Sequence, residues 1–299
     1  MKAEHRGTTA RMIIAVSIFS LAFSARAAVF DCRDLVQGSE KSWMAGRYDE
    51  SDKFLKQAEQ KCPGLPEIYW REARNIYDRV ECLPRDQRPD KPASIELYNR
   101  IIALGEKCVA LNPDDGMCCQ WKAIGIGRRG STRGVLNSLG DLRELLATLD
   151  KAESLKPSYR AENGADNGMG DIYTAHGMLI RIVPDWFILQ VLFGGRGDIA
   201  KSVTYQRKAV ALEPNRVEYN KELGVSLVCY GQKKNDPTAI KEGCQYLEKV
   251  GTLPVLKNSD NIDKEHARIL LGNLDLACGY SRDAQQVQSK EEFEKNRHK

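Results

Sequence analysis

Residues 46–63 read GRYDESDKFLKQAEQKCP, and this stretch decides the fold. Gly46 permits a turn, and small side chains follow at Ser51 and Ala58 on one side of a helical pattern. Pro63 ends the pattern because its ring cannot continue the helical hydrogen-bond ladder. Since small side chains let a neighbouring helix approach closely, the stretch predicts the second helix of an antiparallel pair.

The same pattern recurs along the chain. Residues 197–214 read GDIAKSVTYQRKAVALEP, with glycine, a small residue, alanine and proline at the same offsets. Three helix endings are also closely alike, namely VALNP, ESLKP and VALEP, which finish at Pro113, Pro157 and Pro214. A repeated ending of this kind indicates stacked helical hairpins, each burying a face that it could not bury alone.

The periodicity predicts an all-α chain in which no strand is needed. The expected helices cover 33–46, 48–62, 66–80, 93–111, 114–127, 138–156, 165–183, 197–213, 217–231, 237–251 and 262–279. The helix-ending prolines lie 40 to 57 residues apart, whereas a tetratricopeptide unit has about 34 residues. Each hairpin therefore carries extra residues, which we expect between its two helices.

The pattern over 46–63 resembles the second half of a tetratricopeptide repeat (TPR), and Trp70, Ala73, Arg74 and Tyr77 resemble the first half. The order of the blocks WREAR, CQWKAIG, LRELLATLDKAESLKP, KAVALEP, LVCYG and DKEHARILL is most similar to the regulator-of-microtubule-dynamics family. The T components of tripartite (TRAP-type) periplasmic transporters are a related group. The resemblance covers roughly residues 42–272 and implies a right-handed α-solenoid of TPR-like helical hairpins.

The first 27 residues have the pattern of a secretory signal peptide. Basic residues precede an apolar stretch from Met12 to Phe23, and Ala25-Arg26-Ala27 fits the cleavage site, so we expect a cut before Ala28. An uncleaved anchor is the alternative. The segment carries three of the four net positive charges, and the near-neutral remainder gives no electrostatic reason to bind nucleic acid. We therefore predict a periplasmic or secreted protein without a stable membrane span.

All nine cysteines follow the expected cut, which suits an oxidising compartment. Hairpin geometry brings Cys32 close to Cys62, and Cys229 to Cys278, so these two pairs are the disulfide candidates. The alternative is that the cysteines are small buried hydrophobic residues. A third expected pairing joins Cys108 to either Cys118 or Cys119.

No catalytic constellation emerges from the sequence. Gly125–Gly130 matches GxGxxG, but it follows a predicted helix instead of a strand, so we interpret it as a flexible basic turn. The few histidines are far apart and no CxxC occurs, which argues against a metal site. We expect no catalytic residues, no metal and no cofactor, and hence no enzyme.

First helices of such repeats line the inner wall, where a partner segment usually binds. Aromatic side chains there supply contact area, and basic side chains pair with carboxylates. The alternative is that the aromatic residues are repeat core. The partner-binding candidates are Trp70, Arg74, Tyr77, Trp121, Lys122, His176, Trp186, Phe193 and Lys221.

Trp186 and Phe193 belong to the stretch PDWFILQVLFGG, residues 184–195, which is too apolar for a free loop. Either it extends the helix over 165–183 and packs on the repeats, or it contacts a partner chain, a ligand or a membrane surface. The residues alone leave both readings open.

The sequence therefore predicts three parts: a signal peptide over 1–27, a TPR-like domain over 28–280, and a charged helix or tail over 281–299. The leading hypothesis is an exported, non-enzymatic scaffold that binds a protein or peptide partner in the cell envelope. The alternative is a small-ligand-binding accessory subunit of a periplasmic, TRAP-type solute transporter. The oligomeric state stays open.

Overall fold

The computed structural model describes residues 31–283 and 285–289. Within these ranges the chain consists of α-helices, short 3₁₀ turns and loops; it forms no β-strand, only an isolated bridge between Arg160 and Asn167. The predicted all-α fold is confirmed. The signal peptide expected over 1–27, with its cut before Ala28, lies outside the described residues, as does 290–299.

The chain divides into two compact units, residues 1–68 and 69–299. The described part of the first unit holds helix α1, seen over 31–44, helix α2, Tyr48–Lys61, and the start of α3, Pro66–Glu81. Gly46 forms the turn between α1 and α2 with a φ of 71°. Val36, Leu55 and Ala58 pack together with Ile68 as the core of this unit.

The second unit contains the rest of α3 and nine further helices in its described part. They are α4 (Lys91–Leu111), α5 (Gly116–Arg133), α6 (Leu142–Leu155), α7 (Gly168–Ile182), α8 (Phe187–Phe193), α9 (Ile199–Leu212), α10 (Val217–Lys234), α11 (Pro237–Thr252) and α12 (Ser259–Gly272). The largest packing surfaces join α4 to α5, α7 to α9 and α10 to α11. The pairs α7–α9 and α10–α11 are hairpins that the repeat pattern predicts, whereas α4 and α5 belong to successive hairpins. The domain boundaries after residues 27 and 280 stay predictions.

Five helices end two residues before a proline. These are α2, α4, α6, α9 and α11, which stop ahead of Pro63, Pro113, Pro157, Pro214 and Pro254. The residue before a proline is driven out of the helical conformation, and the proline itself offers no N–H. The prolines therefore set the repeat register that the sequence predicts.

The helices of one hairpin approach closely where glycines face each other. A Cβ atom added to Gly224 on α10 would lie 2.9 Å from the carbonyl oxygen of Gly243 on α11, and the reverse distance is 2.8 Å. Such contacts are too short for a methyl group, so α10 and α11 would have to separate. The close approach of α10 and α11 therefore requires glycine at both positions.

Three local expectations were wrong. Residues 125–130 are not a flexible turn, because α5 continues through them to Arg133. The last helix ends at Gly272 and gives way to a 3₁₀ turn, Leu274–Leu276, instead of continuing to residue 279. Residues 187–193 form a separate short helix, α8, and do not extend α7, which ends at Ile182.

Three disulfides connect the helices. Cys32 is joined to Cys62 in the first unit, with Cα atoms 6.5 Å apart, and Cys229 is joined to Cys278 in the second unit, at 4.8 Å. Both pairs are those expected from hairpin geometry. A third disulfide links α4 to α5, and of the two partners left open for Cys108 the structure takes Cys118.

We expect a thiol reagent to distinguish six of the nine cysteines from the other three. Denatured, unreduced protein should take up three labels per chain, and reduced protein should take up nine. Intact-mass spectrometry of the labelled protein measures both numbers. Nine labels without reductant would contradict the disulfide assignment.

Candidate functional site

Charged side chains are buried in the second unit, on the faces of α3, α5, α7, α10 and α12. On α3 they recur at Arg74, Asp78 and Glu81, a spacing of three to four residues that places them on one side of the helix. Buried charges cost several kcal/mol unless they are paired. The ion pairs within this layer therefore determine which of its charged groups a bound molecule could still contact.

Glu81 is the centre of this layer. Its two carboxylate oxygens accept from Arg128 at 2.5 Å and from Arg282 at 2.7 Å, and Arg88 lies 3.5 Å away. Burial alone would raise the pKa of Glu81, but the charges of Arg128, Arg282 and Arg88 outweigh it and lower the pKa to about 2. The carboxylate therefore stays ionised at any physiological pH.

Lys221 belongs to the same layer. It is 1% exposed, and its Nζ lies 2.5 Å from Asp263 and 3.0 Å from Glu222. Arg181 completes the group, with its Nη2 2.8 Å from Glu222. The Lys221 side chain, a partner-binding candidate from the sequence, thus has its charge satisfied inside the protein.

The C-terminal segment, defined as residues 279–283 and 285–289, lies against this layer without helix or strand. The Asp283 carboxylate contacts Arg128 Nη2 at 2.6 Å and Arg88 Nη1 at 3.1 Å. It also accepts hydrogen bonds from the hydroxyls of Ser131, at 2.9 Å, and Thr132, at 3.3 Å. Four donors therefore converge on one side chain of the segment.

Two glutamines of the segment bind backbone groups of the helices. Gln286 Oε1 accepts from the N–H of Val135 at 2.9 Å, and its Nε2 donates to the Ser131 carbonyl at 3.1 Å. Gln288 Nε2 donates to the carbonyls of Arg181, at 2.7 Å, and Ile182, at 3.0 Å. The segment is bound as a peptide ligand would be, through side chains that contact fixed backbone groups.

A cavity of about 130 Å³ remains between α5, α6 and α7. Its larger part is apolar and belongs to the core cluster that contains Leu145, Leu149, Leu179 and Ile182. Tyr77 and Trp121 line it as an aromatic pair, with their rings edge to face and centroids 5.7 Å apart. Its volume is close to that of a cavity that holds a benzene-sized molecule.

The polar part of the cavity carries three carboxyl groups and one amine. Lys257 Nζ lies 2.9 Å from Asp166, and Tyr219 donates its hydroxyl proton to Asp171 at 2.5 Å. Burial and the neighbouring Asp166 raise the pKa of Asp171 to about 8, against the opposing effect of Lys257. The third carboxyl group, Glu218, pairs with Arg216.

Two polar atoms of uncharged side chains in the cavity wall make no hydrogen bond within the described part of the chain. They are Nε1 of Trp121 and Oγ1 of Thr174, on side chains that are 4% and 3% exposed. A buried polar group without a partner costs about 1–3 kcal/mol. The wall therefore offers one donor and one hydroxyl to a molecule inside the cavity.

The remaining candidates lie apart from the cavity. Trp70 packs edge to face with Tyr159 at 5.0 Å, and Arg74 donates to the hydroxyl of that tyrosine. Lys122 pairs with Glu144 at 2.8 Å. His176 stacks on Tyr205, Nε2 is 3.3 Å from Glu153, and burial lowers its pKa.

The structure thus brings Tyr77 and Trp121 together at the cavity. Trp70 and Arg74 meet at Tyr159, and Trp186 and Phe193 pack on one core cluster. Lys122, His176 and Lys221 lie in other places.

Sequence reasoning missed the carboxyl groups of the cavity and the C-terminal segment. The charges at helical spacing on α3 were a signal for the buried ion-pair layer. The cavity carboxyl groups had no such signal, because Asp166, Asp171 and Glu218 come from separate elements. The C-terminal segment had no sequence signal, because the sequence of a polar tail does not indicate which helices of the same chain it will contact.

Helix α8 has one packed side and one exposed side. Leu189 is buried in the core cluster of α5, α6 and α7, and Trp186 and Phe193 pack against it. The opposite side exposes four large apolar residues, Phe187, Ile188, Val191 and Leu192, with exposures of 52% to 71%. The packing interpretation therefore applies to Trp186 and Phe193. The four exposed residues of α8 are other residues, and none of them was a partner-binding candidate.

Two kinds of feature are absent from the described residues. None of the helices there combines the length and the apolar character that a membrane crossing requires. No group of three or more His, Cys, Asp or Glu side chains is arranged there to hold a metal ion.

Comparison with known proteins supports the fold. No family model matches the sequence, and no curated protein matches it either. The thermophilic TPR protein TTC0263 of Thermus thermophilus is structurally similar, with a TM-score of 0.52 at 16% identity, covering 80% of this chain and 100% of that protein. MamA (41-end) of Desulfovibrio magneticus matches with a TM-score of 0.40 at 16% identity, over 73% of this chain and 94% of that one. The first likeness confirms the predicted TPR-like fold class.

We expect Glu81→Gln to lower the free energy of unfolding by about 3–5 kcal/mol, because it leaves Arg128, Arg282 and Arg88 buried without their shared charge. The depressed pKa also makes this stabilisation fall as pH drops from about 5 towards 2. The variant should lose that part of the acid sensitivity. Urea unfolding at pH 7 and pH 3 measures both effects.

The exposed Glu265 is a matched control, since Glu265→Gln removes a carboxylate that pairs with Arg268 at the surface. This variant should unfold like the natural protein. Equal stability of Glu81→Gln and Glu265→Gln would contradict the central role of Glu81.

The two sides of α8 should respond differently to serine. Trp186→Ser with Phe193→Ser should lower the free energy of unfolding by about 2 kcal/mol or more, because packed aromatic area is lost. Phe187→Ser with Leu192→Ser should leave it unchanged and reduce the binding of a hydrophobic dye. Thermal unfolding and dye fluorescence compare the two double variants. A larger loss of stability in Phe187→Ser with Leu192→Ser than in Trp186→Ser with Phe193→Ser would contradict the assignment of sides.

Proposed function

We propose that this chain is an exported, non-enzymatic TPR-like scaffold that binds a peptide segment of a protein partner in the cell envelope. The observation that carries the proposal is the C-terminal segment itself. Its contacts with the helices of the second unit have the chemistry of peptide recognition, with one carboxylate held by two arginines and two hydroxyls.

The location of these contacts supports a binding surface. Ser131 and Val135 offer a carbonyl and an N–H to Gln286, and both groups lie just where α5 gives way to a 3₁₀ turn. Helix ends leave backbone groups without intrahelical partners, so they are ready-made sites for a polar ligand. A partner presenting Asp and Gln three residues apart would reproduce the contacts of Asp283 and Gln286.

The segment also explains how such binding would be controlled. A tethered segment competes at an effective concentration in the millimolar range, so a weak external peptide cannot displace it. A partner must either bind more tightly or weaken the contacts of Asp283. Export, the remaining element of the proposal, is supported by the signal pattern of residues 1–27 and suits three disulfides.

The small-ligand alternative, an accessory subunit of a TRAP-type solute transporter, has one observation in its favour. The cavity beside Tyr77 and Trp121 is mainly apolar and has the volume of a small molecule. Because the cavity and the segment use largely different side chains, the two binding functions are experimentally separable.

A labelled peptide with the sequence of residues 279–289, GYSRDAQQVQS, tests the proposal. It should bind the full-chain variant Asp283→Ala/Gln286→Ala more tightly than the natural chain, because the tethered competitor is weakened. A matched peptide with Asn in place of its Asp should bind the variant at least about tenfold more weakly, since a charge-assisted hydrogen bond contributes about 1.5–3 kcal/mol. Fluorescence polarisation gives both affinities.

The same variant connects the peptide to a partner. A protein that co-purifies with the variant from envelope extract should be eluted by the GYSRDAQQVQS peptide and not by the Asn peptide. Equal binding of the two peptides to the variant, or a partner that neither peptide elutes, contradicts the proposal. Circular dichroism of the variant confirms that its fold is kept.

A further inference from the structure

The cavity between α5, α6 and α7 combines an apolar body with a polar end. The apolar part is formed by side chains such as Leu145, Leu149 and Leu179, and the polar end by Asp166 and Asp171. We propose that this cavity binds a small organic ammonium ion whose body is apolar and about as large as a benzene ring. This goes beyond peptide binding and does not depend on it.

The volume sets the size of the ligand. A cavity of about 130 Å³ is close to the engineered cavity of about 150 Å³ that is known to hold benzene, a molecule of about six heavy atoms. Ala123, Gly127 and Ala175 belong to the lining, and their small size keeps this space open. A ligand of about six heavy atoms therefore fits without moving a helix.

The charged side chains that line the cavity determine which ligand charge the cavity favours. Three carboxyl groups, those of Asp166, Asp171 and Glu218, face the cavity with two cationic side chains, Lys257 and Arg128. Arg128 is already held by Glu81 and Asp283, and Lys257 by Asp166. The group left to neutralise a ligand is Asp171, which accepts from two uncharged donors, Tyr219 at 2.5 Å and Gln120 at 3.4 Å.

The aromatic pair and the unpartnered hydroxyl complete the recognition. Aromatic rings attract organic cations, tryptophan most strongly, and Trp121 and Tyr77 line the same space as Asp171. Thr174 Oγ1 has no hydrogen-bond partner within the described residues and can accept from an ammonium N–H. Trp121 Nε1 can donate to a ligand oxygen such as an ether.

Binding of an ammonium ion should be coupled to loss of a proton from Asp171. The charged groups around this carboxyl are Asp166, which raises its pKa, and Lys257 and Arg216, which lower it. Since the pKa is about 8, the carboxyl is mainly protonated at about pH 6.5 and half ionised at about pH 8. An alkylammonium stays charged over this range, as lysine does. Its affinity should therefore rise about tenfold between about pH 6.5 and about pH 8.

Isothermal titration calorimetry of the full chain with n-pentylamine tests the proposal, with the uncharged isostere 1-pentanol as the matched probe. At about pH 8, pentylamine should bind saturably and at least about tenfold more tightly than pentanol, as expected for one desolvated charge contact. Asp171→Asn should remove this preference. Asp150→Asn, which removes an exposed carboxylate from α6, should leave it intact.

A second variant tests the location without touching the charge. Ala175→Leu adds bulk to the wall of the cavity and should abolish saturable binding, whereas Ala110→Leu on an exposed position of α4 should not. Circular dichroism confirms that each variant is folded. Equal affinity for amine and alcohol, an affinity independent of pH, or amine binding that survives Ala175→Leu would overturn the proposal. None of these results bears on the peptide experiment.

Discussion

Glu81 holds a full negative charge in a place that water does not reach, and three arginines from different parts of the second unit neutralise it. Arg128 comes from α5, Arg88 precedes α4, and Arg282 belongs to the C-terminal segment. A single carboxylate thus joins a first helix, a loop and the end of the chain. Because buried charges are costly unless they are paired, the segment adds stability to the helices that it contacts.

This constraint explains the polar character of the layer that a TPR-like fold usually offers to a partner. In this chain the charges of the layer are mutually satisfied, as between Lys221 and Asp263. The C-terminal segment satisfies those that the helices leave over, through Arg282 and Asp283. The charged groups of this layer are therefore already paired within the chain, and under the proposed function a partner would compete for them.

The sequence predicted the parts of the fold that depend on local chemistry. Proline and glycine act within a few residues, so the helix ends before Pro63 and Pro214 and the turn at Gly46 could be placed in advance. Disulfides followed from the same hairpins, because once two helices are antiparallel their ends must meet, as at Cys32 and Cys62.

Long-range chemistry could not be placed in the same way. Asp171 and Lys257 are far apart in the chain, and only the packed structure brings both to one cavity. Trp121 and Tyr77 could be predicted as aromatic residues of first helices, but not as one edge-to-face pair. Helix α8 was missed as a separate helix because its seven residues are apolar almost throughout and show no periodicity that marks where it begins.

The disulfide between Cys229 and Cys278 adds one consequence. Cys278 immediately precedes the C-terminal segment, so the covalent bond anchors the start of that segment. Where the bond is intact, a released segment would be a tether that starts at residue 279. In a reducing compartment the tether would start earlier in the chain, near the end of α12 at Gly272. It would then be longer and could reach a larger volume. If a partner displaces the segment, as proposed, the redox state of the surroundings would determine how far the free end could move.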